Sequence, residues 1–150
     1  MLDVLTEQPI FDGVSSDHLD ALDATVEEFG VGDDVIRRGG TADAMRVVLS
    51  GRVALSFGGG LPAATFETLG PGDILGLSWL REGGEWEFAG TAMLPTRVLS
   101  ITAESLRSAM EGDLELSALI HQRLTKTLLD RLHAVRLQHL DLYRNPHARN

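Results

Sequence analysis

Between residues 31 and 101 the chain breaks into six short runs of β-forming residues, and each break carries Gly, Pro or Asp. The runs span 31–37, 44–50, 52–57, 63–68, 85–93 and 97–101. Close, even spacing of this kind argues against βαβ units and for an antiparallel roll or barrel. A helix is predicted ahead of them over 17–29, capped by Ser15 or Ser16, because Leu19, Leu22 and Val26 recur at helical spacing behind an acidic first turn. Two short helical patches are predicted at 76–81 and 103–110. The fold class expected is therefore mainly β with flanking helices: a jelly-roll-like antiparallel β-roll, a short helix inside it and a long helix after it.

The stretch 69–99, LGPGDILGLSWLREGGEWEFAGTAMLPTRVL, is the part of the roll with functional character. Gly70, Gly72 and Gly76 gather around one turn, Leu77-Ser78-Trp79-Leu80 follows, and an alternating strand then runs through Trp86 and Phe88. Glycines let a backbone approach a ligand closely. A short helix after them points free N–H groups at negative charge, and a strand behind supplies side chains of one parity. This is the outline of an anion or nucleotide cradle, without a cation where a phosphate would need one.

From residue 114 to 143 there is neither Gly nor Pro, and strong helix formers dominate. On a helical wheel Leu124, Leu128, Leu132, Val135 and Leu142 share one face, and Leu119, Leu129, Leu137 and Leu140 share a second. A helix resting on one domain needs one stripe. A helix of ~30 residues is about 45 Å long and outreaches a small β domain, so the two stripes predict one face against the body and the other against a second chain. The expected organisation is a β-roll with its N-terminal helix over 1–113 and a dimerisation helix with a short tail over 114–150, and the expected partner is a second copy.

Charge narrows the partners further. Residues 121–150 hold six of the 13 basic residues and two of the 22 acids, a net of +4, whereas residues 1–120 carry seven bases against twenty acids, a net of −13. A body this acidic repels nucleic-acid backbone and anionic membrane. The chain has no cysteine, which removes thiolate metal sites, disulfides and a cysteine nucleophile. No apolar run is long enough to span a bilayer and the N-terminus lacks the features of a signal peptide, so the expected address is the cytoplasm.

The local motifs extend over nearly the whole chain: Phe11 with Gly13 and Leu19, Gly32 and Ile36, Arg38-Gly39-Gly40 with Ala42-Asp43, Val47-Val48-Leu49-Ser50-Gly51-Arg52-Val53, then Leu69-Gly70-Pro71-Gly72-Asp73 and Gly76. In this order and spacing the chain resembles the cyclic nucleotide-binding domain of catabolite-activator-type (Crp/Fnr-like) bacterial regulators. The resemblance implies a cradle built by Gly76, Leu77, Ser78, Arg81, Trp86, Glu87 and Phe88. It also implies two contacts that this chain lacks. Where the family places a glutamate for the ribose hydroxyl, directly after the cradle glycine, the residue is Leu77. Where it places the arginine for the cyclic phosphate, the residue is Glu87 in one register and Trp86 in another.

A hydrogen bond to a charged group contributes ~1.5–3 kcal/mol, so losing both contacts removes roughly 3–6 kcal/mol, about two to four decades of affinity. Backbone N–H groups near Gly76 and Ser78, with Arg81, are the remaining anion donors. In Glu85-Trp86-Glu87-Phe88 the period of two puts both aromatics on one face and both acids on the other. If the aromatics face the core, Glu87 looks outward or onto the pocket rim. If they face the pocket, it has become apolar and takes a hydrophobic or aromatic ligand, or Trp79, Trp86 and Phe88 simply fill it.

Other chemistry fits poorly. Gly76-Leu77-Ser78-Trp79-Leu80 begins like a nucleophile elbow but lacks the closing glycine and the α/β context. Gly70-Pro71-Gly72 with Gly76 misses the dinucleotide fingerprint by one residue and carries a proline in its turn. His121, His133, His139 and His147 are spaced with no pair on a ligand edge, so no metal site is expected. The reading is a non-enzymatic sensor-like module with a degenerate pocket, no required cofactor, and either weak cyclic-nucleotide binding or an unknown small ligand. A dimeric module that engages a partner protein, with its pocket filled by its own aromatics, is the alternative, and a true cyclic-nucleotide receptor with unusual contacts is the second. Only seven residues, 144–150, follow the long helix where such regulators carry a helix-turn-helix, so direct DNA binding is not expected.

Overall fold

The computed structural model describes residues 1–57 and 65–144, with side chains through His133. Two antiparallel sheets face each other. One has the order β1-β7-β3, from β1 (Ala24–Phe29), β7 (Thr96–Thr102) and β3 (Ala44–Ser50). The other has the order β2-β6-β4-β5, from β2 (Asp34–Ile36), β6 (Ala89–Ala92), β4 (Val53–Ser56) and β5 (Thr65–Leu69). The β-roll expected from the turn-punctuated strands is thus present. Its interior is filled by Ile36, Met45, Val47, Leu55, Leu99 and Ile101 from the two sheets, all buried.

The helix predicted over 17–29 is corrected. Helix α1 (Leu2–Thr6) and a 3-10 turn at Pro9–Phe11 precede α2 (Ser16–Asp20), which ends four residues before 24–29 enter the sheet as β1. Ser15 does cap α2, accepting from the His18 N–H at 3.3 Å. Helical spacing over three residues was weaker than the ladder that Thr25, Val26 and Phe29 gain against β7, a tertiary override of local preference. The strand predicted over 85–93 is also shorter, since only Ala89–Ala92 is strand and Glu85 makes an isolated bridge to Thr41.

Helix α3 (Ala103–Gly112) starts at Thr102, whose hydroxyl accepts from the Ser105 N–H at 3.3 Å. Helix α4 (Leu114–Arg144) follows after one residue. Asp113 caps it, with Oδ1 accepting from the N–H of Glu115 and Leu116 at 2.9 and 3.1 Å, while Oδ2 pairs with His18 Nε2 at 3.1 Å. Leu116, Ile120 and Leu124 are buried, and the first half of α4 packs against α3 and the 3-10 turn at Pro9–Phe11. Leu124, read in the sequence as part of a dimer stripe, is 2% exposed and belongs to the protein's own core. Leu128 and Leu132, from the same stripe, are 55% and 44% exposed. Val135 and Leu142 lie outside the residues whose side chains are described, as do Leu137 and Leu140 of the second stripe. Among the described residues no helix is long and apolar enough to cross a membrane.

Candidate functional site

After β5 the chain turns through Gly70 and Gly72, runs back along β3 through the Val47–Ile74 bridge, and reaches Gly76. The Gly70 N–H donates to Asp73 Oδ2 at 2.9 Å and Gly72 takes φ +88°, so this turn is held by its own acid and its own glycine. Gly76 is buried where a Cβ would stand 3.0 Å from the Trp86 ring and 3.3 Å from Phe88. The short helix predicted over 76–81 is a 3-10 turn at Ser78–Leu80. Gly84 closes it, donating its N–H to the Arg81 carbonyl at 2.9 Å.

Between this segment and α4 lies a groove of about 510 Å³. Leu77, Ser78, Leu80 and Arg81 form one wall, Gly84, Glu85, Glu87 and Phe88 a second, and Leu128 and Arg131 of α4 the third. Of the residues read from the sequence, Leu77, Ser78, Arg81, Glu87 and Phe88 come together here. Gly76 lies behind them and Trp86 is in the core. The two aromatics therefore part company: Trp86 is buried beside Gly76, whereas Phe88 faces the groove and meets Phe66 edge-on at 5.7 Å, with Phe57 stacked beyond at 4.8 Å. Trp79 is fully buried, with no acceptor among the described residues for its indole N–H and with its carbonyl accepting from Arg107. The three aromatics do not fill the site.

Arg131 is the residue that the sequence reading missed. Its side chain is 18% exposed and reaches from α4 to the roll, where Nη2 donates to the Ile74 carbonyl and Nε stands 3.9 Å from Glu67 Oε1. Burial pushes its pKa below the usual arginine range, while Glu67 and then Asp73 pull it back up. The guanidinium remains a cation. A signal for it was present, since Arg131 lies seven residues after Leu124, where the buried stripe of α4 would continue. A charge at a stripe position on a long helix is a residue that must find partners on the body. Arg123 does so too, donating to the Ile10 carbonyl at 2.8 Å.

The charges that border the groove are Arg131 inside it and Arg81, Glu85 and Glu87 at its exposed mouth. Neither acid is in an ion pair among the described residues. No group of three or more His, Asp or Glu among the described residues is arranged to hold a metal ion.

The family model of the cyclic nucleotide-binding domain matches residues 26–113, more than half of the chain. No match was found among curated protein sequences. Among solved structures, the chain is similar to a provisionally assigned cyclic nucleotide-binding protein from Geobacter metallireducens GS-15, at 23% identity and a TM-score of 0.74, covering 87% of this chain and 97% of that one. It is similar to the sensor domain of the transcriptional regulator DNR from Pseudomonas aeruginosa, at 16% identity and a TM-score of 0.70 over 87% and 90% of the two chains. It also resembles the catabolite activator protein of Thermus thermophilus, at 24% identity and a TM-score of 0.65, covering 91% of this chain and 63% of that one. At these identities the structural likeness concerns the fold.

Proposed function

Because the chain belongs to the cyclic nucleotide-binding domain family, we propose that it is a non-enzymatic regulatory module whose cradle groove senses a small molecule other than cyclic AMP or cyclic GMP. One observation carries this reading: an open groove of about 510 Å³ lies at the cradle, with Leu77 and Glu87 on its walls where the family resemblance calls for a ribose acceptor and a phosphate cation. Leu77 offers no hydrogen-bond acceptor, and Glu87 sets a negative charge beside an incoming phosphate. Arg131 is in the groove on α4, not at the strand position where the resemblance calls for the phosphate cation.

The test is the thermal stability of the wild type with cyclic AMP and cyclic GMP. A ligand at a hundredfold excess over its dissociation constant stabilises by about 2.7 kcal/mol. No shift is expected with either nucleotide at concentrations that saturate a micromolar site. A shift of several degrees would make the chain an ordinary receptor.

The same reading includes a homodimer through α4. Leu129 is 58% exposed beside Leu128 and Leu132, an apolar run that a second helix would cover. By sedimentation the wild type is expected to be dimeric and Leu129→Glu/Leu132→Glu monomeric, with unchanged thermal stability of the roll. A monomeric wild type would remove the dimer from the account.

A further inference from the structure

We propose that Arg131 is the anion-binding group of the groove and that the groove takes a small apolar or aromatic molecule bearing one carboxylate. This rests on the reading of the groove as a ligand site and adds to it the class of ligand and the residue that recognises it.

The walls set the body of the ligand. Leu77, Leu80 and Leu128 present aliphatic carbon, and Phe88 presents a ring held edge-on against Phe66 at 5.7 Å. These side chains contribute through apolar burial, with the Ser78 hydroxyl on the same wall and the acids at the mouth as polar groups.

The charges set its head group. Arg131 carries five N–H donors. One goes to the Ile74 carbonyl, and Nε at 3.9 Å from Glu67 is beyond hydrogen-bond length, so the remaining donors have no acceptor among the described residues. A half-buried cation whose one hydrogen-bond acceptor is a carbonyl, and whose carboxylate neighbour stands beyond hydrogen-bond length, can take up an incoming anion, and the lowering of its pKa by burial agrees with that. A carboxylate matches the guanidinium fork with two parallel bonds. Glu85 and Glu87 at the mouth balance Arg81 and Arg131, and Glu67 beside Arg131 adds one negative charge, so a second negative charge on the ligand meets net repulsion. A second charge is penalised, and a cyclic nucleotide, though singly charged, is set apart by its ribose, for which Leu77 offers no acceptor.

Position gives the pairing a consequence. Arg131 stands on α4, whereas Ile74 and Glu67 stand on the roll. A carboxylate that takes up the guanidinium changes the contact that ties the helix to the roll beside the cradle.

The experiment is a calorimetric titration of the wild type, Arg131→Gln, Arg131→Lys and Glu87→Gln with benzoate, octanoate, benzyl alcohol, octanol and phenyl phosphate. In the wild type each carboxylate is expected to bind roughly tenfold to a hundredfold more tightly than its alcohol, the range for one charge-assisted contact. Arg131→Gln is expected to erase that ratio, and Arg131→Lys to retain part of it. Glu87→Gln, an exposed substitution, is expected to tighten both anions, phenyl phosphate by the larger factor. Equal binding of acids and alcohols, a ratio that survives Arg131→Gln, no effect of Glu87→Gln, or no binding of either carboxylate would each overturn the assignment. Alcohol binding in the groove with no carboxylate preference would leave the sensor reading standing, whereas tight cyclic-nucleotide binding would defeat that reading instead.

Discussion

Gly51→Ala is expected to lower the stability of the protein by on the order of 2–6 kcal/mol. Gly51 turns β3 into β4 at φ +95°, a region that costs an L residue about 1–3 kcal/mol. A Cβ there would lie 2.4 Å from Thr96 Oγ1, 2.5 Å from the Pro95 carbonyl oxygen and 2.7 Å from the Thr96 Cα. Two of these atoms are backbone. Thr96 Oγ1 is fixed as well, donating to the Leu94 carbonyl at 2.7 Å and accepting from the Arg52 N–H at 3.3 Å. Relieving the overlap adds about 1–3 kcal/mol of overpacking. For a chain of this size the sum lowers Tm by about 10 °C. Gly72→Ala is the control, because φ is +88° there but nothing lies within 4 Å of the added carbon. It is expected to cost only the backbone strain. Equal losses in the two variants would mean that the β3–β4 turn is not packed as described.

The second large effect is a gain. Leu77→Glu/Glu87→Arg is expected to raise affinity for cyclic AMP by roughly two to four decades, the value of the two charged contacts it supplies. Both positions line the groove and neither is in the core, since Leu77 is half-buried and Glu87 is exposed. The change also removes a repulsive charge. Trp86→Arg, the substitution suggested by the other sequence register, is expected to destabilise the protein and to give no binding. Trp86 is buried against Gly76, and an arginine there would be an unpaired buried charge.

The roll could be read from the chain because its strands carry strong β formers between unambiguous turns. The run 44–50 was placed to the residue, and the glycine after it proved to be the one that the turn requires. The long helix was equally plain, having no residue that could stop it before 144. Residues 17–29 misled because their three apolar positions satisfy helical spacing by chance, and a strand paired with a distant part of the chain leaves little local trace. Leu124 misled for a related reason. A wheel groups residues by angle, but what a stripe meets changes along α4, so the stripe is core at Leu124 and exposed at Leu128 and Leu132.

The site was legible on one side only. Residues 76–88 are contiguous, and the alternation of Trp86 and Glu87 already offered the arrangement in which the acid borders the pocket. Arg131 is 43 residues further on and joins them only through tertiary packing of the helix. Its stripe position marks it as a charge that needs partners on the body, but only the fold shows that those partners lie beside the cradle. A cation absent from the strand position but present on the helix changes the chemistry expected of the groove, from phosphate recognition by a strand to anion recognition by an element that packs separately.

The most direct test of this account is the dissociation constant of cyclic AMP for the wild type, measured by titration calorimetry at low salt beside Leu77→Glu/Glu87→Arg. The account expects the wild type to give no saturable heat in the micromolar range and the double variant to bind. Micromolar binding by the wild type would contradict it, because the groove would then recognise the cyclic phosphate without the two residues whose replacement defines it.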